Sequence, residues 1–222
     1  MSDDTVSTTS IELLWIPLGA GARVVRTSGR VFEALLAMWQ RRPPCDLYHS
    51  ALTVTVPAGR FVIEMTPVPD ADGSHRGVVA EGPVGTRLVG WLRVFRYEIR
   101  RWLGGVIPDA DEAASVIIIS DDPLAARQLL DLVPIVPTPV WGRDELAAGE
   151  MWNSNSVTSW LLACSGVDVG HIAPPAGGRA PGWDAGITVA ARMRLNACDA
   201  TAEYQRSRTC TRTQNPPVLS PR

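Results

Sequence analysis

Lysine is absent from this chain: all 21 basic residues are arginine, set against 23 acidic ones. The formal charge of −2 leaves no basic footprint across the whole protein, which argues against nucleic acid as a partner. Histidine is scarce as well. His49, His75 and His171 are widely spaced and make no HxH or HExxH arrangement, and Cys45, Cys164, Cys198 and Cys210 make no CxxC pair. Neither a metal site nor a resident cofactor is expected from such a set. No uninterrupted apolar run approaches the ~20 residues that span a bilayer. The opening MSDDTVSTTS has neither the basic n-region nor the apolar h-region of a secretory signal. These absences lead to the expectation of a cytoplasmic protein with no membrane span and no disulfide framework. The Gly-rich GGRAPG at 177–182 lacks the GxxxxGK[ST] frame of a phosphate loop, and no GxSxG elbow of an α/β-hydrolase occurs.

What is present suits one domain. The chain has 222 residues, 45% of them hydrophobic and 20% charged, which is close to globular averages and excludes a fibrous or wholly disordered chain. A chain of this length buries roughly 70% of the surface its unfolded form exposes, so it folds without covalent staples. Residues 1–10 read as a disordered N-terminus, 11–191 as a single domain and 192–222 as an Arg-rich disordered tail. That tail holds six Arg against Asp199 and Glu203, a balance of +4 that leaves −6 for the remainder. A basic arm touching an anionic partner is the sharper reading of the same segment.

The pattern within the domain is mixed. Residues 11–18 (IELLWIPL) read as a buried strand, and a helix follows from Thr27 or Ser28 through Trp39 to the stop at Pro43-Pro44. Residues 47–56 and 61–66 read as a hairpin joined by Pro57-Ala58-Gly59-Arg60. In that register Val56 faces Phe61 and Glu64 faces Thr53. His49 and Glu64 then share a face but lie two pairs out of step, roughly 13 Å along the strand. The alternation within 88–102 reads as a half-buried strand with a solvated arginine face, and 116–119 as an interior strand. Asp121-Asp122-Pro123 starts a helix that reaches residue 132 or 133. A second helix follows Asn153-Ser154-Asn155-Ser156 and stops at Gly166, and residues 187–191 read as a last strand.

One constellation carries possible chemistry. Short polar side chains at 153–156 sit where a helix exposes its first N–H groups and the positive end of its dipole. They serve either as a cap or as the seat of a nucleophile whose oxyanion those N–H groups stabilise. His49 is either a structural strand histidine or a base. His171 and Asp184 fall in a Gly/Pro loop read over residues 170–186, either as turn residues or as the lining of a groove, and Arg143-Asp144-Glu145 reads as a solvated turn, with Trp141 or Trp152 able to wall a cleft.

Tyr48-His49-Ser50-Ala51-Leu52, the return segment Phe61-Val62-Ile63-Glu64-Met65-Thr66-Pro67 and the late helix opening Asn153-Ser154-Asn155-Ser156-Val157 together resemble the circularly permuted papain-like fold. That group includes the lecithin retinol acyltransferase family, the PPPDE peptidases and permuted relatives of the NlpC-type peptidases. The resemblance spans roughly residues 45–166. The runs FRYEIRRW, VPTPVWGRDEL, GEMWNSNS and GGRAPGWDAG resemble an uncharacterised group of bacterial and fungal proteins, which brings no activity with it. The permuted families carry Cys inside NCxHF where this chain has Ser154, so the resemblance implies either a serine variant or a site that has lost its chemistry. It implies an α+β fold, an antiparallel sheet packed against the nucleophile-bearing helix. Ser154 would be the nucleophile, His49 the base, and Glu64 or Thr66 the orienting group. Trp152, Asn153, Asn155, Ser156 and Trp141 would line the site. The expected activity is hydrolysis or acyl transfer on an amide, thioester or ester carbonyl of a small-molecule, peptide or acyl substrate. The alternative is an inactive module whose groove holds a peptide or acyl chain.

Overall fold

The structure, a computed structural model, describes residues 9–18, 45–67, 77–92, 95–107 and 110–195. Six strands form one sheet: β1 (Ser10–Pro17), β2 (Tyr48–Val56), β3 (Gly59–Pro67), β4 (Val78–Pro83), β5 (Arg96–Leu103) and β6 (Ser115–Ser120). Their order is β4-β5-β3-β2-β1-β6, and every neighbouring pair is antiparallel. Three helices complete an α+β architecture: α1 (Pro123–Leu132), α2 (Ser154–Cys164) and α3, residues 183–195. None of the described helices is long and apolar enough to cross a membrane.

Strand alternation decides which side chains meet the helices. Ile11, Leu13 and Trp15 of β1, Leu52 and Val54 of β2, Ile63 and Met65 of β3, and Tyr97 and Ile99 of β5 share one core with all three helices. The other face carries a smaller apolar cluster: Leu14, Ile16, Ala51, Val62 and Ile107. β1 and β2 are therefore apolar on both sides, which is why residues 11–18 read as a continuous hydrophobic run.

The helices form for local reasons that agree with this packing. Asp122 caps α1 by accepting from the Leu124 N–H at 2.9 Å, and Pro123 sits at the first helical position, where it has no hydrogen bond to lose. Ala125, Ala126, Leu129 and Leu130 make the buried stripe of α1 at helical spacing, and each leucine contributes about 1.5–3 kcal/mol by burial.

Several elements differ from the sequence expectations. The β2–β3 turn is Pro57-Ala58 alone, because Val56 pairs with Gly59 and not with Phe61. Gly59, at φ +126, supplies the backbone shape that shortens the loop. The two-residue change of register leaves every side chain on its expected face but moves Glu64 closer to His49 along the strands. Residues 187–191 are helical: buried positions 185, 186, 189 and 190 follow a helical period that the β-branched Ile187, Thr188 and Val189 disguise. α3 also runs past the expected domain boundary at 192. β5 begins at Arg96, and its polar face is buried, with Glu98 and Arg100 only 6% and 3% exposed. β6 is an edge strand, not an interior one. The helix expected from residue 27 or 28 to 39, the N-terminal eight residues, His75 and residues 196–222 lie outside the described residues.

Candidate functional site

α2 starts at a cap built entirely from the 153–156 motif. Asn153 has an extended backbone, and its Oδ1 accepts from the N–H groups of Asn155 (2.9 Å) and Ser156 (3.3 Å). Ser156 Oγ reciprocates by accepting from the Asn153 N–H at 3.1 Å. This is a capping box in which serine takes the position usually held by Glu or Gln.

The remaining hydrogen bonds of the motif reach across the fold. Asn153 Nδ2 and Asn155 Nδ2 both donate to the Pro181 carbonyl, at 2.8 and 2.9 Å. Asn155 Nδ2 also donates to the Tyr48 carbonyl at 3.0 Å, while its Oδ1 accepts from Ser50 Oγ at 2.9 Å. Ser156 Oγ donates to the Gly182 carbonyl (2.7 Å), and Ser159 Oγ to the Trp183 carbonyl (2.7 Å). Glu150 closes the ring by accepting from the Gly182 N–H at 2.7 Å. The motif thus fastens the start of α2 to β2 on one side and to the loop before α3 on the other. The polar side chains of Asn153, Asn155 and Ser156 are spent on buried backbone and side-chain partners, as burial demands.

Ser154 is the first residue of α2, 6% exposed, and forms no hydrogen bond through Oγ among the described residues. His49 does not supply the missing base. It lies directly opposite Ile16 on β1, and Ile16 belongs to the cluster on the sheet face away from the helices. Opposed residues in an antiparallel pair project to the same face. The next pair, Trp15 and Ser50, projects to the helix side, where Ser50 reaches Asn155. The sheet therefore lies between the His49 imidazole and Ser154, and the two expected partners are not brought together. The pKa of His49 points the same way: burial alone pushes it down to about 4, whereas a carboxylate orienting the ring would push it up.

Glu64 does share the His49 face, as expected, but it has another role. It faces Arg100 across β3 and β5 and accepts from Nη1 at 2.8 Å. Arg100 also donates to Glu98 Oε1 through Nε at 2.7 Å and through Nη2. The three side chains are 11%, 4% and 8% exposed in the order Glu64, Arg100, Glu98, a carboxylate–guanidinium–carboxylate group sealed under the sheet. Thr66 faces Glu98 on the same side and is equally remote from Ser154.

The expected lining residues are structural too. Trp152 is 2% exposed within the helix-side core. Trp141 is half-buried, stacks edge-on against Tyr97 with centroids 5.8 Å apart, and bonds through its backbone to Pro83 and Gly85. Arg143-Asp144-Glu145 is a fastened turn. Asp144 accepts from the N–H groups of Ala148 and Gly149, and Glu145 takes a two-pronged contact from Arg87 plus the Val140 N–H. Arg87 accordingly holds the Glu145 carboxyl below its ordinary range. His171 and Asp184 are exposed, the former 3.4 Å from Asp168. Among the described residues no three His, Cys, Asp or Glu side chains gather as a metal site would require.

The residues that sequence reasoning missed are the partners of this bracing: the accepting carbonyls of Tyr48, Pro181 and Gly182, and the donating hydroxyl of Ser50. Only Ser50 carried a signal, since strand alternation sets it opposite in sense to His49. No family model, curated protein or solved structure matches the chain.

Proposed function

We propose that the chain is a non-catalytic binding module that keeps the helix-on-antiparallel-sheet arrangement of the permuted papain-like fold without its nucleophile–base pair. The observation that carries the reading is the placement of His49 and Ser154 on opposite sides of the sheet. Serine, unlike cysteine, has almost no ionised fraction near neutral pH and needs its base in contact at the moment of attack. A groove between the hairpin and α2 is also closed: Leu52, Val54, Val157, Trp160 and Leu161 fill it, and the Ser50–Asn155 bond bridges it. Binding therefore belongs on the outer surface of the fold.

A fluorophosphonate probe tests this directly. The folded chain is expected to take up no label at Ser154, and Ser154→Ala is expected to leave the labelling pattern unchanged. Stoichiometric labelling that disappears in both Ser154→Ala and His49→Ala would overturn the reading and restore the hydrolase.

A further inference from the structure

The geometry points to β6 as a docking edge for an extended peptide whose centre is aliphatic and whose ends are cationic. The inference rests on reading the chain as a binding module and names what it binds.

β6 is the outermost strand next to β1, so one row of its backbone N–H and C=O groups has no strand partner among the described residues. Its sequence, Ser-Val-Ile-Ile-Ile-Ser, has no charge and no proline. Folded proteins protect such edges with lysine, proline, a bulge turned outward or a covering element. Among the described residues no charge, proline or covering strand blunts residues 115–118; the irregularity in the pairing with β1 is a bulge at the far end of β6, where Ile118 faces Glu12 and Ser120 faces Ile11 so that Ile119 is the extra residue. Val116, Ile117 and Ile118 are 54%, 38% and 72% exposed. Val116 faces Leu14 and Ile118 faces Glu12, whereas Ile117 faces Leu13, so the exposed aliphatics flank the edge on both faces of the sheet. A strand added here would gain main-chain hydrogen bonds and meet an apolar side chain on either side.

Charge selects the occupant. Exposed carboxylates bracket the strand at both ends: Asp111 and Glu112 before it, Asp121 and Asp122 after it. A second copy pairing antiparallel about Ile117 would bring Asp122 of each chain beside Glu112 of the other, two like-charge crowdings that oppose self-association. A peptide with arginine or lysine at each end would place opposite charges at both places while its β-branched centre covers Val116 and Ile118.

The test uses the full-length chain and fluorescein-labelled peptides of five alternating Val and Thr residues, with either two Arg or two Glu at each end. Fluorescence anisotropy is expected to show saturable binding of the Arg-ended peptide, at least tenfold tighter than the Glu-ended one and weakened by salt. Ile118→Lys changes an exposed side chain and is expected to keep the wild-type circular dichroism and melting temperature while losing at least tenfold in affinity. The charge-neutral set Asp111→Asn, Glu112→Gln, Asp121→Asn and Asp122→Asn keeps a capping amide oxygen at the start of α1. It is expected to lower the preference for Arg ends to about twofold or less. Equal binding of the two peptides, no binding of either, or unchanged binding by folded Ile118→Lys would each overturn the proposal. So would sedimentation showing a dimer that Ile118→Lys splits, because β6 would then be occupied by a second copy. A catalytic Ser154 found with the fluorophosphonate probe would defeat the functional reading without changing any of these titrations.

Discussion

His49 is an imidazole held opposite Ile16, on the sheet face that also carries Leu14, Ala51, Val62 and Ile107. Its pKa falls from 6.5 to about 4 because burial penalises the charged ring. The unfolded chain therefore binds a proton that the folded chain refuses between these two values. Stability is unaffected above about pH 6.5 and is lost as the pH falls toward 4, by about 3 kcal/mol in all at 1.36 kcal/mol per unit. Carboxylates titrate in the lower part of the same window, so the informative quantity is the difference from a His49→Gln chain. Urea unfolding at pH 7 and pH 4.5 is expected to show wild type losing more stability than the variant. An equal loss in both chains would mean that His49 titrates as it does in water.

Among the elements, α2 is the one on which the others converge. It touches β2 through Asn155, the loop before α3 through Ser156, and α3 itself through the Ser159–Trp183 bond and a very close approach at Gly186. A Cβ built on Gly186 would lie 2.1 Å from both the Ser156 carbonyl and Ser159 Oγ. Gly186→Ala is expected to force the two helices apart at a cost of about 1–3 kcal/mol, read as a shift in the urea midpoint with little change in slope. The local elements legible in the sequence are those with strong punctuation: α1 from Asp122-Pro123, α2 from its Asn-Ser cap, and β1 from its unbroken apolar run. α3 was hidden because Ile187, Thr188 and Val189 suit a strand, and only tertiary contact with α2 makes them helical. The motif at 153–156 was visible as a cap, but its partners at 48, 50, 181 and 182 are set by long-range folding that no local pattern encodes. The dyad failed at a single step. Alternation along β2 fixed that His49 and Ser50 face opposite ways, but not which of the two faces the helix.

At the scale of the whole molecule, the sheet has two unlike sides. One side carries the three-helix core; the other carries the smaller apolar cluster and the buried Glu64–Arg100–Glu98 group, which ties β3 to β5. Removing the cation would take the shared guanidinium away from two buried carboxylates. Arg100→Met is expected to destabilise the fold by about 3–5 kcal/mol, a large share of the 5–15 kcal/mol available to a domain. At about 2–4 °C per kcal/mol for a chain of this size, calorimetry should show a melting temperature lower by roughly 6–20 °C. A loss below about 1 kcal/mol would mean that the group is hydrated and contributes little. One further contact spans the helical side: Trp15 on β1 and Trp183 at the start of α3 lie with ring centroids 5.0 Å apart and planes tilted by 48°. Two indoles held that close share their electronic excitation, so the pair gives the near-ultraviolet spectrum a built-in signal for whether α3 is seated on the sheet.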